Sequence, residues 1–135
     1  MSEPSLGALM AFAPGTFFEE VGRYGARNDH YIGDGAAFYL AAGVGLLVAA
    51  RRADWRVPIL VVGAVWYGLH ALNHFADIGE ASSDARGTFD ALALTLGAAG
   101  AAWLAAVSAR LRRESSARSA SSPAPSRAGP GDGTE

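Results

Sequence analysis

"VPILVVGAVWYGLHALNHF", Val57 to Phe75, decides the fold. From Val57 to Leu69 no face carries a charged side chain. A helix of a soluble protein needs a polar face, whereas an apolar run of this length suits a bilayer core. The stretch reads as a transmembrane helix, with Pro58 tolerated in its first turn.

Two more stretches follow the same logic. "DHYIGDGAAFYLAAGVGLLVAA", Asp29 to Ala50, is strictly apolar only from Gly35. With Asn28 as N-cap it becomes a helix of 22 residues, roughly 33 Å long, enough to cross the core. "FDALALTLGAAGAAWLAAV", 89 to 107, is the third, and two starts stand open for it, at Phe89 or earlier, after Ser83. At the N-terminus "SLGALMAFA", 5 to 13, is too short to span, Pro14-Gly15 stops it, and no basic region precedes it. Two readings stand open there: a half-span, or a chain whose start lies upstream. "TFFEEVGRY" in the following segment suits a short interfacial helix. The expected fold is all-α: a polytopic transmembrane bundle of three full spans plus a short N-terminal apolar helix, a four-helix layout.

The 135 residues allow one domain. It divides into an N-terminal apolar stub and outer loop (1–28), the helical bundle (29–112) and a tail (113–135). The tail is Ser, Ala, Pro, Gly and charge, which cannot bury enough apolar surface to fold, so a disordered tail is expected. The absence of cysteine excludes disulfides and thiolate metal sites. A net charge of −2 gives no reason to expect nucleic acid as a partner. Eleven arginines without lysine, and 29 alanines, fit a GC-rich bacterial genome.

The arginines set the expected orientation. Arg51, Arg52 and Arg56 lie between the first two spans, and Arg110, Arg112, Arg113, Arg118 and Arg127 follow the third. Only Arg23, Arg27 and Arg86 remain for the other side. The positive-inside rule then places the chain in the inner (plasma) membrane with its C-terminus cytoplasmic. Trp55 and Trp103 fall near the cytoplasmic interface. Ala37, Ala41, Gly45 and Ala49, and Ala93, Gly97, Ala101 and Ala105, form small-residue ridges. Such ridges let helices approach closely in lipid. The expected partners are the bilayer and, through these faces, another copy or a membrane protein.

Within this apolar chain the polar residues gather at one depth. His70, His74 and Asp77 share a helical face at the outer end of the second span. Asp34, with His30 one turn before it, is near the outer end of the first, and Asp90 opens the third. Ionisable groups in a membrane segment are functional candidates because each is costly in lipid. Three uses are open. The histidines can hydrogen-bond across helices to Asp34, Tyr39 or Asp90 as structural ties. His70, His74, Asp34, His30 and Asp77 can ligate a divalent transition metal, or two histidines a haem. A chain of His and Asp can also relay protons. Enzyme signatures are lacking: "GDGAA" has no Lys-Ser/Thr after it, no Ser-His-Asp set exists, and three histidines are too few for a histidine-box oxygenase.

"APGTFF", "NDHYIGDGAAFYLAAGVGLLVAA" and "HALNHFADI" resemble a group of small uncharacterised bacterial integral membrane proteins, similar in size and layout to DoxX-like proteins. The matching parts are Pro14, Phe17 and Phe18, then Asn28, Asp29 and His30, then Asp34 to Leu40, and the His70/His74 pair, within roughly residues 6 to 107. The resemblance implies a compact four-helix membrane fold and no particular activity. Members carry a further histidine where this chain has Asp77, and a longer first helix than residues 5 to 13 permit. The expected function is that of a small accessory or structural membrane protein, with metal- or haem-based redox or transport chemistry at the outer face as the alternative.

Overall fold

The computed structural model describes residues 3–121, with side chains from Ser5 onward. Five α-helices follow one another: α1 Glu3–Phe12, α2 Pro14–Glu20, α3 Asp29–Arg51, α4 Ala53–Ala76 and α5 Asp84–Ser121, with a 3-10 turn at Ile78–Glu80. Among the described residues there is no strand, only an isolated bridge between Tyr24 and Ala81. α3, α4 and α5 are each long and apolar enough to cross a membrane.

The helix ends have local causes. The Asn28 side chain accepts from the backbone N–H of His30 and Tyr31, so α3 starts where a capping residue allows it. Ser83 does the same for α5, taking the N–H of Arg86 on its hydroxyl and that of Gly87 on its carbonyl. α4 begins four residues before Val57, so Pro58 lies inside the helix and not in its first turn. The charged Asp54 and Arg56 disguise this turn in the sequence. Pro58 has no N–H for the Asp54 carbonyl, and Arg112 Nη1 approaches that oxygen at 3.5 Å. α5 runs past the expected boundary, so residues 113–121 are helical where a disordered tail was expected. Ser115 and Ser119 each donate to the carbonyl four residues back, which keeps their hydroxyls inside the helical pattern. The rest of that tail, 122–135, lies outside the described residues.

The helices pack in a sequence of neighbours: α1 on α3, α3 on α4, α4 on α5. α3 and α5 both lie against α4 and make no substantial contact with each other. Glycines permit the close approaches. A Cβ on Gly7 would meet the backbone N of Leu40 at 3.0 Å, one on Gly35 would meet the Met10 methyl, and one on Gly45 would meet Ile59. Met10, Ile32, Ala36 and Tyr39 form the buried core, with Leu6, Phe17 and Phe18 against it. Further along, Ala49, Ala91 and Ala105 are buried too. Among the described residues no large side chain is fully enclosed, while Val62, Val65, Leu69, Leu72 and Leu96 face outward.

Candidate functional site

The site grows from the last two turns of α4. His70 and His74 stand one turn apart on the same face, with Nε2 atoms 3.0 Å from each other. The Nδ1 of His74 is 2.9 Å from the Tyr24 hydroxyl, which donates to Asp90 Oδ2 at 3.2 Å. Arg86 Nε donates to both Asp90 oxygens, at 3.1 and 2.9 Å, while its Nη2 donates to the Val21 carbonyl at 2.8 Å. Four side chains from α4, the loop after α2, and α5 thus form one hydrogen-bonded row: His70, His74, Tyr24, Asp90. Rings buttress it. Tyr24 meets His74 edge-on at 4.6 Å, Trp66 meets His70 edge-on at 5.5 Å, and Phe38 stacks on Trp66 at 3.9 Å.

Proton bookkeeping gives the row a direction. His70 Nδ1 is buried and has no hydrogen-bond partner among the described residues. An orphaned N–H is rarer in proteins than an acceptor left unused. That places a lone pair on Nδ1 and the ring proton on Nε2, an assignment made from the network. His70 Nε2–H then donates to His74 Nε2, His74 Nδ1–H donates to Tyr24, and Tyr24 donates to the Asp90 carboxylate. Every donor in the row is used, and its loose end is one acceptor atom.

The row lines a cavity of about 530 Å³. Leu6, Met10, Phe17, Phe18 and Ile32 supply its apolar wall, and Asn73 and Asp77 extend the polar wall. Asn73 Nδ2 donates to Asp77 Oδ2 at 3.2 Å. The Tyr24 hydroxyl pKa is pushed up to about 12, first by burial and then by the adjacent Asp90 charge, so this link stays protonated.

The sequence-derived residues divide into two sets. His70, His74 and Asp77 line this cavity. His30 and Asp34 do not; they pair with each other at 3.7 Å on the open surface of α3, where they are 82% and 67% exposed. Asp34 is therefore no neighbour of the histidine pair, and the direct tie from histidine to Asp90 is made through Tyr24. Among the described residues no three His, Cys, Asp or Glu side chains come together so as to hold a metal ion. The histidine nitrogens that would ligate one face each other. Sequence reasoning missed Tyr24 and Arg86. No periodicity marks Tyr24, because it sits in a loop; Arg86 carried a signal in its i, i+4 spacing to Asp90.

No family model, no curated protein and no solved structure matches the chain.

Proposed function

We propose that the chain is a multi-pass protein of the inner (plasma) membrane, C-terminus in the cytoplasm, whose Tyr24 row is a proton-accepting site open to the outer face. The membrane half of this reading rests on the outward apolar surface. Leu96 is 73% exposed and Leu72 66%, and a continuous exterior of this kind in water is an aggregation hazard. The arginine distribution supplies the orientation.

The functional half rests on one observation: a hydrogen-bonded row that lines a cavity and ends in a single buried, unused acceptor, His70 Nδ1. A proton that reaches His70 Nδ1 releases the one on Nε2 to His74. His74 passes its Nδ1 proton to Tyr24, and Tyr24 passes its own to Asp90. Both imidazoles and the phenol end neutral, and the carboxylate becomes a carboxylic acid. The added positive charge then resides on Arg86, whose carboxylate partner has been neutralised, at the start of α5 and not on the histidines of α4.

A structural latch is the competing reading, favoured by the Arg86 bond to Val21 and the Tyr24–Ala81 bridge, which tie the loop after α2 to α5. Infrared difference spectra of the reconstituted protein, acid minus neutral, separate the two. In a relay the histidine tautomer change and the carboxyl protonation rise together, because one proton entering the row produces both. Tyr24→Phe breaks that coincidence, and Asp90→Asn removes the carboxyl band together with the tautomer change. In a latch without a proton role the wild type shows no such coincidence, and Tyr24→Phe leaves the carboxyl and histidine signals as they were.

A further inference from the structure

Two hollows follow one another along α4, away from the Tyr24 site. The first, about 490 Å³, lies between α3 and α5 with α4 as its floor. Its lining is apolar, with large side chains such as Phe38, Trp66 and Leu104 set among small ones such as Ala41, Gly63 and Gly100. The second, about 350 Å³, is lined by Arg56, Arg112, Ser108, Ser115 and Ser116. Helical register joins them. Leu60 and Leu104 line the apolar hollow, and Arg56 and Ser108, each four residues toward the basic end, line the polar one. They share no lining residue but occupy successive turns of the α4–α5 pair, so end to end they outline a slot, apolar for most of its length and cationic at its end.

The cationic end is held in place. Arg56 Nε donates to the Ala49 carbonyl in the last turn of α3, and Arg112 leans on the Asp54 carbonyl. Arg51, Arg52, Arg110 and Arg113 crowd the same end, against only Asp54 and Glu114. Arginine forks match phosphoryl oxygens in geometry as well as charge. From Gly97 to Leu104 the apolar part covers about 10 Å of α5 at 1.5 Å per residue, within the ~15 Å of a single leaflet.

We propose that this slot binds an anionic phospholipid, with acyl chain on α4 between α3 and α5 and phosphoryl headgroup on Arg56 and Arg112. The inference shares the membrane-spanning reading with the proton site and is otherwise independent of it.

The test uses the full chain in a neutral detergent. Phosphatidylglycerol and phosphatidylcholine of equal chain length are added separately, with inorganic phosphate as a third arm, and bound lipid is read by native mass spectrometry. Phosphatidylglycerol should bind at least about fivefold more tightly than phosphatidylcholine, the effect of one interfacial arginine. Arg112→Gln should lower that preference by about fivefold, one arginine's share, and it leaves the Arg56 contact on α3 intact. Gly100→Leu should weaken phosphatidylglycerol binding by filling the slot, where a Cβ meets nothing within 4 Å. Equal binding of the two lipids, an Arg112→Gln variant that keeps the preference undiminished, or inorganic phosphate competing as well as the lipid would each overturn the proposal. A chain that stays soluble and monodisperse without detergent would overturn the membrane reading itself, which is a separate result.

Discussion

Tyr24 is the residue on which the site turns, since its hydroxyl links His74 of α4 to Asp90 of α5. Replacing it with Phe keeps the ring contact with His74 and leaves that histidine's Nδ1–H without its partner. The expected cost is about 0.5–1.5 kcal/mol of stability, that of a lost hydrogen bond at a part-buried site. Its pKa sets the pH dependence. The folded value of about 12 lies above the ordinary tyrosine value of 10.0. Stability from this group is therefore complete below the lower value and is lost as pH rises through the upper one. In alkaline melts the wild type should lose stability over that window, and Tyr24→Phe should lose less. The direction of the row has its own check. Nitrogen-15 spectra of the detergent-solubilised chain should find the ring proton of His70 on Nε2 and that of His74 on Nδ1. The opposite tautomer on either ring would reverse the row. At this scale the sequence disclosed the histidine pair, because i, i+4 spacing on a helix leaves little choice of geometry. It did not disclose Tyr24, whose position depends on the path of a loop between helices that only tertiary packing determines. Shared depth misplaced Asp34: depth along a span says nothing about which way round the helix a side chain points.

Glycine placement governs the elements. A Cβ on Gly87 would come within 2.7 Å of the Ile78 carbonyl oxygen and 3.1 Å of its Cα, both backbone atoms that cannot rotate away. Gly87→Ala should destabilise by about 1–3 kcal/mol through overpacking, more than the helix-propensity gain of roughly 1 kcal/mol returns. Gly100, where a Cβ meets open space, gives the contrast. Gly100→Ala should stabilise by up to about 1 kcal/mol, and thermal midpoints in one detergent compare the pair. A destabilised Gly100→Ala beside a neutral Gly87→Ala would contradict the packing described for the start of α5. The three long helices were readable from sequence, since uninterrupted apolar runs of this length have few other uses. Their ends were less so. α4 starts in a charged turn that hydropathy hides, and α5 continues through a Ser- and Arg-rich stretch whose composition resembles a linker.

For the whole molecule, the lack of substantial contact between α3 and α5 leaves a slot that no linear pattern announces. In the proposed orientation, argued from the outward apolar surface and the arginine asymmetry, the basic end of that slot faces the cytoplasm and the Tyr24 row the outer face. A chain without cysteine allows a direct test, because each introduced thiol is the only one. Three single variants, Glu80→Cys, Ala53→Cys and Val65→Cys, are treated in intact cells with a membrane-impermeant maleimide, before and after permeabilisation. Glu80→Cys, near the Tyr24 row, should label from outside. Ala53→Cys should label only once the membrane is opened, and Val65→Cys, in mid-span, in neither case. Labelling of Ala53→Cys but not Glu80→Cys in intact cells would invert the protein, and ready labelling of Val65→Cys would remove it from the membrane.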